Sequence, residues 1–337
     1  YLHIPFCRNK CPYCGFASVV GGETLFLRYA RAAISETERR MTGPFTGNPL
    51  TVYIGGGTPS CFPSGLLRGM IQRFTRDAAE VTVEANPEST TDEWLGEMLD
   101  MGANRISIGV QALDDSLLVT LGRIHTTHQA VLSVEKAAKA GFRRISVDLM
   151  FGIPGQTVEM WLHTLEKMIE LPLDHVSCYS LSLEEDTPFL ARFGRNRKKL
   201  PSVNETVEMY RLLAGFLEEK GFQRYELSNF ALPGHECMHN IGYWSFFPYL
   251  GIGAGAHSFD GIKRTWNQHN PEEYIHSHTD GDGFPAGEEI LDSRSRALET
   301  LMLSLRTRDG IDPVDFTNLY TPGSMEILKL MGYYIEA

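Results

Sequence analysis

A parallel α/β architecture is what this sequence predicts: a (βα)6 partial barrel carrying a small, mostly helical C-terminal domain. Three observations predict it. Short β-rich runs recur along the first 180 residues, amphipathic helix-like segments separate them, and residues able to do chemistry fall at the C-terminal ends of the runs. Strands alternating with helices build right-handed βαβ units and a parallel sheet, with a doubly wound open sheet as the runner-up.

The six runs are Tyr1–Ile4, Thr51–Ile54, Val81–Ala85, Arg105–Val110, Ile145–Leu149 and His175–Tyr179. Between them the apolar spacing predicts helices over Glu23–Met41, Thr91–Met101, Thr127–Ala140 and Val158–Leu171. Thr90-Thr-Asp-Glu93 reads as a capping box, and Gly102 and Gly141 sit where helices stop. Beyond residue 185 the alternation ends. Arg192–Lys199 reads as a solvated basic loop, Val203–Lys220 as a long helix and Phe222–Ser228 as a strand, followed by an aromatic- and glycine-rich region from Asn229 to Phe259. From about Gly261 the chain turns polar, Asp280–Gly283 reads as a turn or linker, and residues 288–337 as a small, mostly helical appendage. The expected division is therefore 1–185 for the barrel, 186–262 for a barrel extension and 263–337 for the C-terminal domain.

Composition narrows the function. The 337 residues are 42% hydrophobic and 22% charged, as in an ordinary globular protein. A net charge of -11 excludes a non-specific nucleic-acid partner, which requires a basic surface. No run of about 18 apolar residues is present, so no transmembrane helix is expected. Six cysteines in a chain of this length do not make a disulfide framework, and a reducing, cytoplasmic location is expected, or an organelle in a eukaryotic source.

Three of the six crowd together as Cys7-Arg-Asn-Lys-Cys11-Pro-Tyr-Cys14, directly after the first strand. A structural zinc site needs four protein ligands, and no fourth stands at the usual spacing. Three thiolates suit a [4Fe–4S] cluster whose remaining iron stays open to the amino and carboxylate groups of a small molecule. Cys61, Cys178 and Cys237 read as small buried hydrophobes. In a barrel the strand ends carry the function. Those ends are Gly55-Gly-Gly-Thr-Pro59, Glu84, Gln111, Asp148 and the region of Ser182, with Arg123 available for a carboxylate.

The C-x3-C-x2-C spacing with an aromatic before the third cysteine resembles the radical S-adenosylmethionine superfamily. Tyr1-x-His3-Ile-Pro-Phe-Cys7, Gly55–Pro59, Ile106–Gln111, Leu121-Gly-Arg123 and Asp148–Gly155 resemble one branch of it. That branch contains the oxygen-independent coproporphyrinogen III oxidases and the radical-SAM haem chaperones. The resemblance implies S-adenosylmethionine as cofactor, with Tyr1, Tyr13, Gly56, Gly57, Thr58, Glu84, Gln111, Arg123 and Asp148 as its candidate pocket. Two features separate the relatives. Phe16 stands where the oxidase pattern has a further cysteine, and His239-Asn-Ile-Gly-Tyr-Trp244 matches the HNxxYW signature of the haem chaperones. The resemblance thus implies haem as a further ligand, with a neutral His239 on its iron and Tyr243 and Trp244 against the porphyrin. Cys237 and His257 are secondary ligand candidates. The expected function is delivery of haem to acceptor proteins such as respiratory enzymes; the alternative is oxidative decarboxylation of coproporphyrinogen III. The chaperone relatives also imply a possible homodimer and peripheral membrane contact.

Overall fold

The computed structural model describes residues 1–41, 45, 47–194, 199–312 and 316. Six parallel strands lie side by side in chain order: β1 (Leu2–Ile4), β2 (Thr51–Gly56), β3 (Glu80–Ala85), β4 (Arg105–Gln111), β5 (Arg144–Phe151) and β6 (His175–Ser180). This order selects the partial barrel, because a doubly wound sheet reverses at a switch point and places its first strand inside, whereas β1 here stands at an edge. The crossovers are α1 (Glu23–Arg40), α2 (Ser64–Thr75), α3 (Asp92–Asp100), α4 (Asp115–Leu121) with α5 (Thr127–Ala140), and α6 (Val158–Met168). The open edge of β1 is covered by Ile252, which exchanges backbone hydrogen bonds with His3 and Tyr1 at 2.9 Å each.

The alternation along the strands divides the sheet into two unlike faces. Val52 registers with Val81, Ile54 with Val83, Val83 with Ile106, and Ile106 with Ile145; all are buried with the helices. The intervening positions are polar: Tyr53 beside Thr82, Glu84 beside Ser107, Ser107 beside Ser146 and Asp148 beside Ser177. The apolar core therefore lies between sheet and helices, and the concave face is a lining of hydrogen-bonding groups.

Local signals hold with small shifts. Thr126 and Gln129 form a capping box on α5, and Gly141 ends it at φ +114°. The box expected at Thr90 is absent. Thr91 caps α3 instead, accepting from Trp94 N at 3.2 Å, because the Thr90 hydroxyl is committed to the Asn86 carbonyl at 2.9 Å.

After α7 (Pro188–Phe193) and α8 (Val203–Glu219), the strand expected over 222–228 shrinks to β7 (Gln223–Arg224). A turn follows, in which Glu226 accepts from Ser228 N at 2.9 Å and from the Asn229 side chain, and it leads to β8 (Asn229–Ala231), antiparallel to β6. Next comes α9 (Met238–Trp244). The polar region after 261 is not a linker. It joins an antiparallel sheet of β9 (His257–Phe259), β10 (Lys263–Trp266) and β11 (Gly287–Ile290). Cross-strand pairs of Lys263 with Glu288 and Arg264 with Glu289 support it, so hydrophobic periodicity carried no sign of it. The β9–β10 hairpin spans the division expected at 262/263, and α10 (Pro271–Thr279) packs on α1 through Tyr274, whose hydroxyl donates to buried Glu36 at 2.7 Å. Of the helical appendage, α11 (Ser293–Ser304) is described; residues 195–198 and 317–337 lie outside the described residues. No helix among the described residues is long and apolar enough to cross a membrane.

Candidate functional site

At the C-terminal ends of the strands the loop after β1 carries the three cysteines. Its base is closed by Cys7 N to the Val19 carbonyl at 3.0 Å and Val19 N to the Pro5 carbonyl at 2.8 Å. Gly57 N and Thr58 N, past the end of β2, donate to the Ile4 and Phe6 carbonyls at 2.8 and 2.7 Å. A Cβ on Gly57 would lie 2.7 Å from the Phe6 oxygen and 2.9 Å from the Ile4 oxygen, so the third glycine is what lets this loop lie against the cysteine loop. Gly122 ends α4 at φ +72°, where a Cβ would fall 2.6 Å from Pro12. It thereby delivers Arg123 beneath the cysteines.

Cys7, Cys11 and Cys14 are half-buried and unpaired. Burial pushes the Cys7 and Cys14 thiols up, with the Thr58 hydroxyl opposing it at Cys7. Thr58 donates to Cys7 Sγ at 3.4 Å and Arg123 Nη1 to Cys11 Sγ at 3.6 Å. Among the described residues no three His, Cys, Asp or Glu side chains converge to hold a single metal ion. The donor set fits a multi-iron cluster, which takes each thiolate on a separate iron and leaves one iron open.

Behind the cysteines the concave face presents two carboxylates. Glu84 accepts from the Tyr53 hydroxyl at 2.8 Å and Gly56 N at 3.1 Å; burial, reinforced by Asp148, raises its pKa to about 7. Asp148 accepts from the Ser107 hydroxyl at 3.1 Å and burial raises its pKa too. Gln111 takes φ +66° at an irregularity of β4, a left-handed backbone that is costly outside glycine. Tyr13 packs edge-on against Phe189 beside Arg123, and the Tyr1 hydroxyl bonds His3 Nδ1 at 3.0 Å. Eight of the nine candidates thus lie along the concave face and its rim, whereas Tyr1, ahead of β1, also lines the cavity at the other end of the strands. Asn86, between Arg123 and Thr58, was missed, although it stands at a strand end before a proline.

The HNxxYW segment lies at the other end of the strands. Helix α9 closes the N-terminal mouth, with Met238 N and His239 N donating to the two oxygens of Glu80, at the start of β3, at 3.0 and 3.1 Å. Nothing in the sequence signalled Glu80 as this cap. His239 is buried, stacks on Tyr53 with ring centroids 5.1 Å apart, and bonds Thr51 Oγ1 through Nδ1 at 2.8 Å and the Tyr243 hydroxyl through Nε2 at 3.0 Å. Burial, with the Arg105 charge adding to it, holds its imidazole at a pKa of about 3. His239 and Tyr243 line a cavity of about 710 Å³ whose other walls include Val52, Met70, Phe74, Met238 and Tyr249. That volume is in the range of small-molecule and cofactor sites, about 300–1,000 Å³.

The other haem candidates stand elsewhere. Trp244 lies under the Arg306 guanidinium, 5.1 Å from its ring, in a separate cavity of about 360 Å³ that Tyr243 also borders. Cys237 is fully buried with its thiol on Glu80 at 3.4 Å, and burial raises its pKa to about 11. His257 stacks on Trp266, 5.8 Å away, outside both cavities.

With the geometry in place, known proteins supply the comparison. The model of the Radical SAM superfamily matches residues 1–168. A protein of Lactococcus lactis subsp. lactis named "Heme chaperone HemW" is 38% identical over 326 residues, covering 95% of this chain and 84% of that protein. The protein of that name in Bacillus subtilis is 36% identical over 329 residues, covering 95% and 86%. Among solved structures, "Coproporphyrinogen III oxidase (HemN) from Escherichia coli" superposes with a TM-score of 0.85 at 23% identity, over 100% of this chain and 82% of that one, a shared fold.

Proposed function

This chain belongs to the radical SAM superfamily and, within it, to the heme chaperone HemW family; we propose from that premise that it binds haem and passes it to acceptor proteins. A [4Fe–4S] cluster and S-adenosylmethionine complete its cofactors. The observation that carries the placement of haem is His239, neutral at physiological pH, in the wall of an apolar cavity of cofactor size. To ligate iron, His239 Nε2 would have to give up its hydrogen bond to the Tyr243 hydroxyl. Trp244 lines the adjoining cavity, which Tyr243 also borders.

At the opposite end, Cys7, Cys11 and Cys14 would hold the cluster, and since burial pushes the Cys7 and Cys14 thiols up, iron binding there would have to displace a proton. The cluster supplies an open iron for the methionine end of the cofactor and an electron. Glu84 and Asp148, the two carboxylates of the concave face, would accept from hydroxyl or ammonium donors of the same molecule. The oxidase alternative rests on shared fold alone. Respiratory enzymes as acceptors, a cytoplasmic site of action, a homodimer and peripheral membrane contact complete this reading.

The test is haem retention. Cluster is reconstituted anaerobically, haem added, excess removed by gel filtration, and Soret absorbance compared between wild type and His239→Ala. Stoichiometric haem in the wild type and its loss in the variant are expected. Equal retention would remove His239 as ligand, and no retention by a cluster-loaded wild type would remove haem delivery itself.

A further inference from the structure

We infer that Asn86 is a positioning residue for the cluster: it fixes the Thr58 hydroxyl and the Arg123 guanidinium as donors to the Cys7 and Cys11 sulfurs, and so sets the potential at which the cluster is reduced. The inference rests on the cluster reading above.

Asn86 is the first residue past β3, and its main chain is fully occupied. Its N–H donates to Ser60 Oγ at 3.1 Å, and its carbonyl accepts from Ser89 N at 3.0 Å and Thr90 Oγ1 at 2.9 Å. The turn is therefore built by the backbone, and the side-chain amide is free for something else. It spends both ends on two groups that touch cysteine. Arg123 Nη2 donates to Asn86 Oδ1 at 2.6 Å, and Asn86 Nδ2 donates to Thr58 Oγ1 at 2.8 Å.

These partners fix the direction of every proton in the chain. A guanidinium only donates, so the amide oxygen must face Arg123 and the NH2 must face Thr58. The Thr58 oxygen then accepts from Asn86, and its single proton is left for Cys7 Sγ, 3.4 Å away. The same guanidinium closes the circuit by donating Nη1 to Cys11 Sγ at 3.6 Å. Asn86 touches neither sulfur, yet it orients a donor toward each. Strand β4 makes room for it: a Cβ on Gly109 would lie 2.6 Å from Asn86 Oδ1.

Donors to cysteine sulfur stabilise the more negative, reduced cluster and raise its potential, and hydrogen bonds in series polarise one another. Asn86→Asp keeps the shape while removing the NH2, so the Thr58 proton turns to the new carboxylate and away from Cys7. Thr58→Val deletes only the last donor.

The test is a reductive titration of the reconstituted full chain, with midpoint potential read by EPR and normalised to iron per chain. Both variants are expected to assemble the cluster at a lower potential than wild type. Asn86→Asp should lower it less in a Thr58→Val background than alone, since they share one arm. Unchanged potentials at full iron content would overturn the inference, because a merely structural role changes stability without moving the potential. If Asn86→Asp fails to assemble, an unchanged potential in Thr58→Val still overturns the inference, because the donor that Asn86 is said to orient would then have no effect. A wild type that assembles no [4Fe–4S] cluster overturns the cluster reading itself, which is a different result.

Discussion

His239→Ala in the cofactor-free chain should destabilise strongly at neutral pH and much less in mild acid. The substitution removes a buried ring stacked on Tyr53 and two hydrogen bonds, to Thr51 at 2.8 Å and Tyr243 at 3.0 Å. A truncated core side chain with two orphaned partners costs about 3–4 kcal/mol. The pH term has a definite sign. Burial holds the folded imidazole at about 3 against 6.5 for an ordinary histidine. The unfolded chain therefore takes up a proton below pH 6.5 that the folded chain refuses until about 3. His239 contributes its full stability above pH 6.5 and loses it as the pH falls toward 3. At pH 5 that loss is about 1.5 units at 1.36 kcal/mol each, or roughly 2 kcal/mol. The gap between wild type and variant should shrink from about 3–4 kcal/mol at pH 7.5 to about 1–2 kcal/mol at pH 5, read from urea midpoints with a common m. An equal gap at both pH values would refute the buried neutral imidazole, and with it a ring that needs no deprotonation before meeting iron.

Two further substitutions probe the cofactor end. Gly57→Ala drives a methyl against backbone atoms that cannot move aside, so cluster content per chain after reconstitution should fall severalfold while the far-end cavity still takes up haem; undiminished iron would show that the loop has slack. Glu84→Gln should change stability in the opposite pH direction to His239. Its raised pKa of about 7 means that wild-type stability falls as pH rises from about 4.5 to 7, so the variant should gain on wild type over that window in paired urea titrations at pH 5 and 8.

The barrel was legible because six short runs alternate with helices, and the cysteine loop because its spacing is local. Gly55–Pro59 and Leu121–Arg123 could be found as motifs, but not the reason for their glycines, which is contact with Phe6 and Pro12 across the fold. Asn86 and Glu80 act through partners 28 and 37 residues away, and more than 150 residues away, respectively, and no periodicity marks such residues. β10 and β11 escaped notice because they are held by charge pairs rather than by an apolar face. That Trp244 and His239 line different cavities was not legible either, for a geometric reason. They are five residues apart on a short helix, too far round to face one cavity.

Position along β2 separates the proposed haem ligand from the cysteine end. Its first residue, Thr51, bonds His239, and its last, Gly56, bonds Glu84 beside the cysteine loop. Five residue steps at about 3.3 Å separate them by roughly 16 Å. Between the ends the concave face is filled by Tyr53, whose ring stacks on His239 and whose hydroxyl reaches Glu84, while Glu80 and buried Arg105 floor the barrel. Hydrogen abstraction requires its donor carbon in contact with the radical, at about 3–3.5 Å. A porphyrin held by His239 in the cavity below that floor is several times farther away, behind packed side chains. On this geometry a haem held at His239, as proposed, would be cargo and not the substrate of chemistry at the cluster, and a chain that loses Cys7, Cys11 or Cys14 should still bind haem through His239.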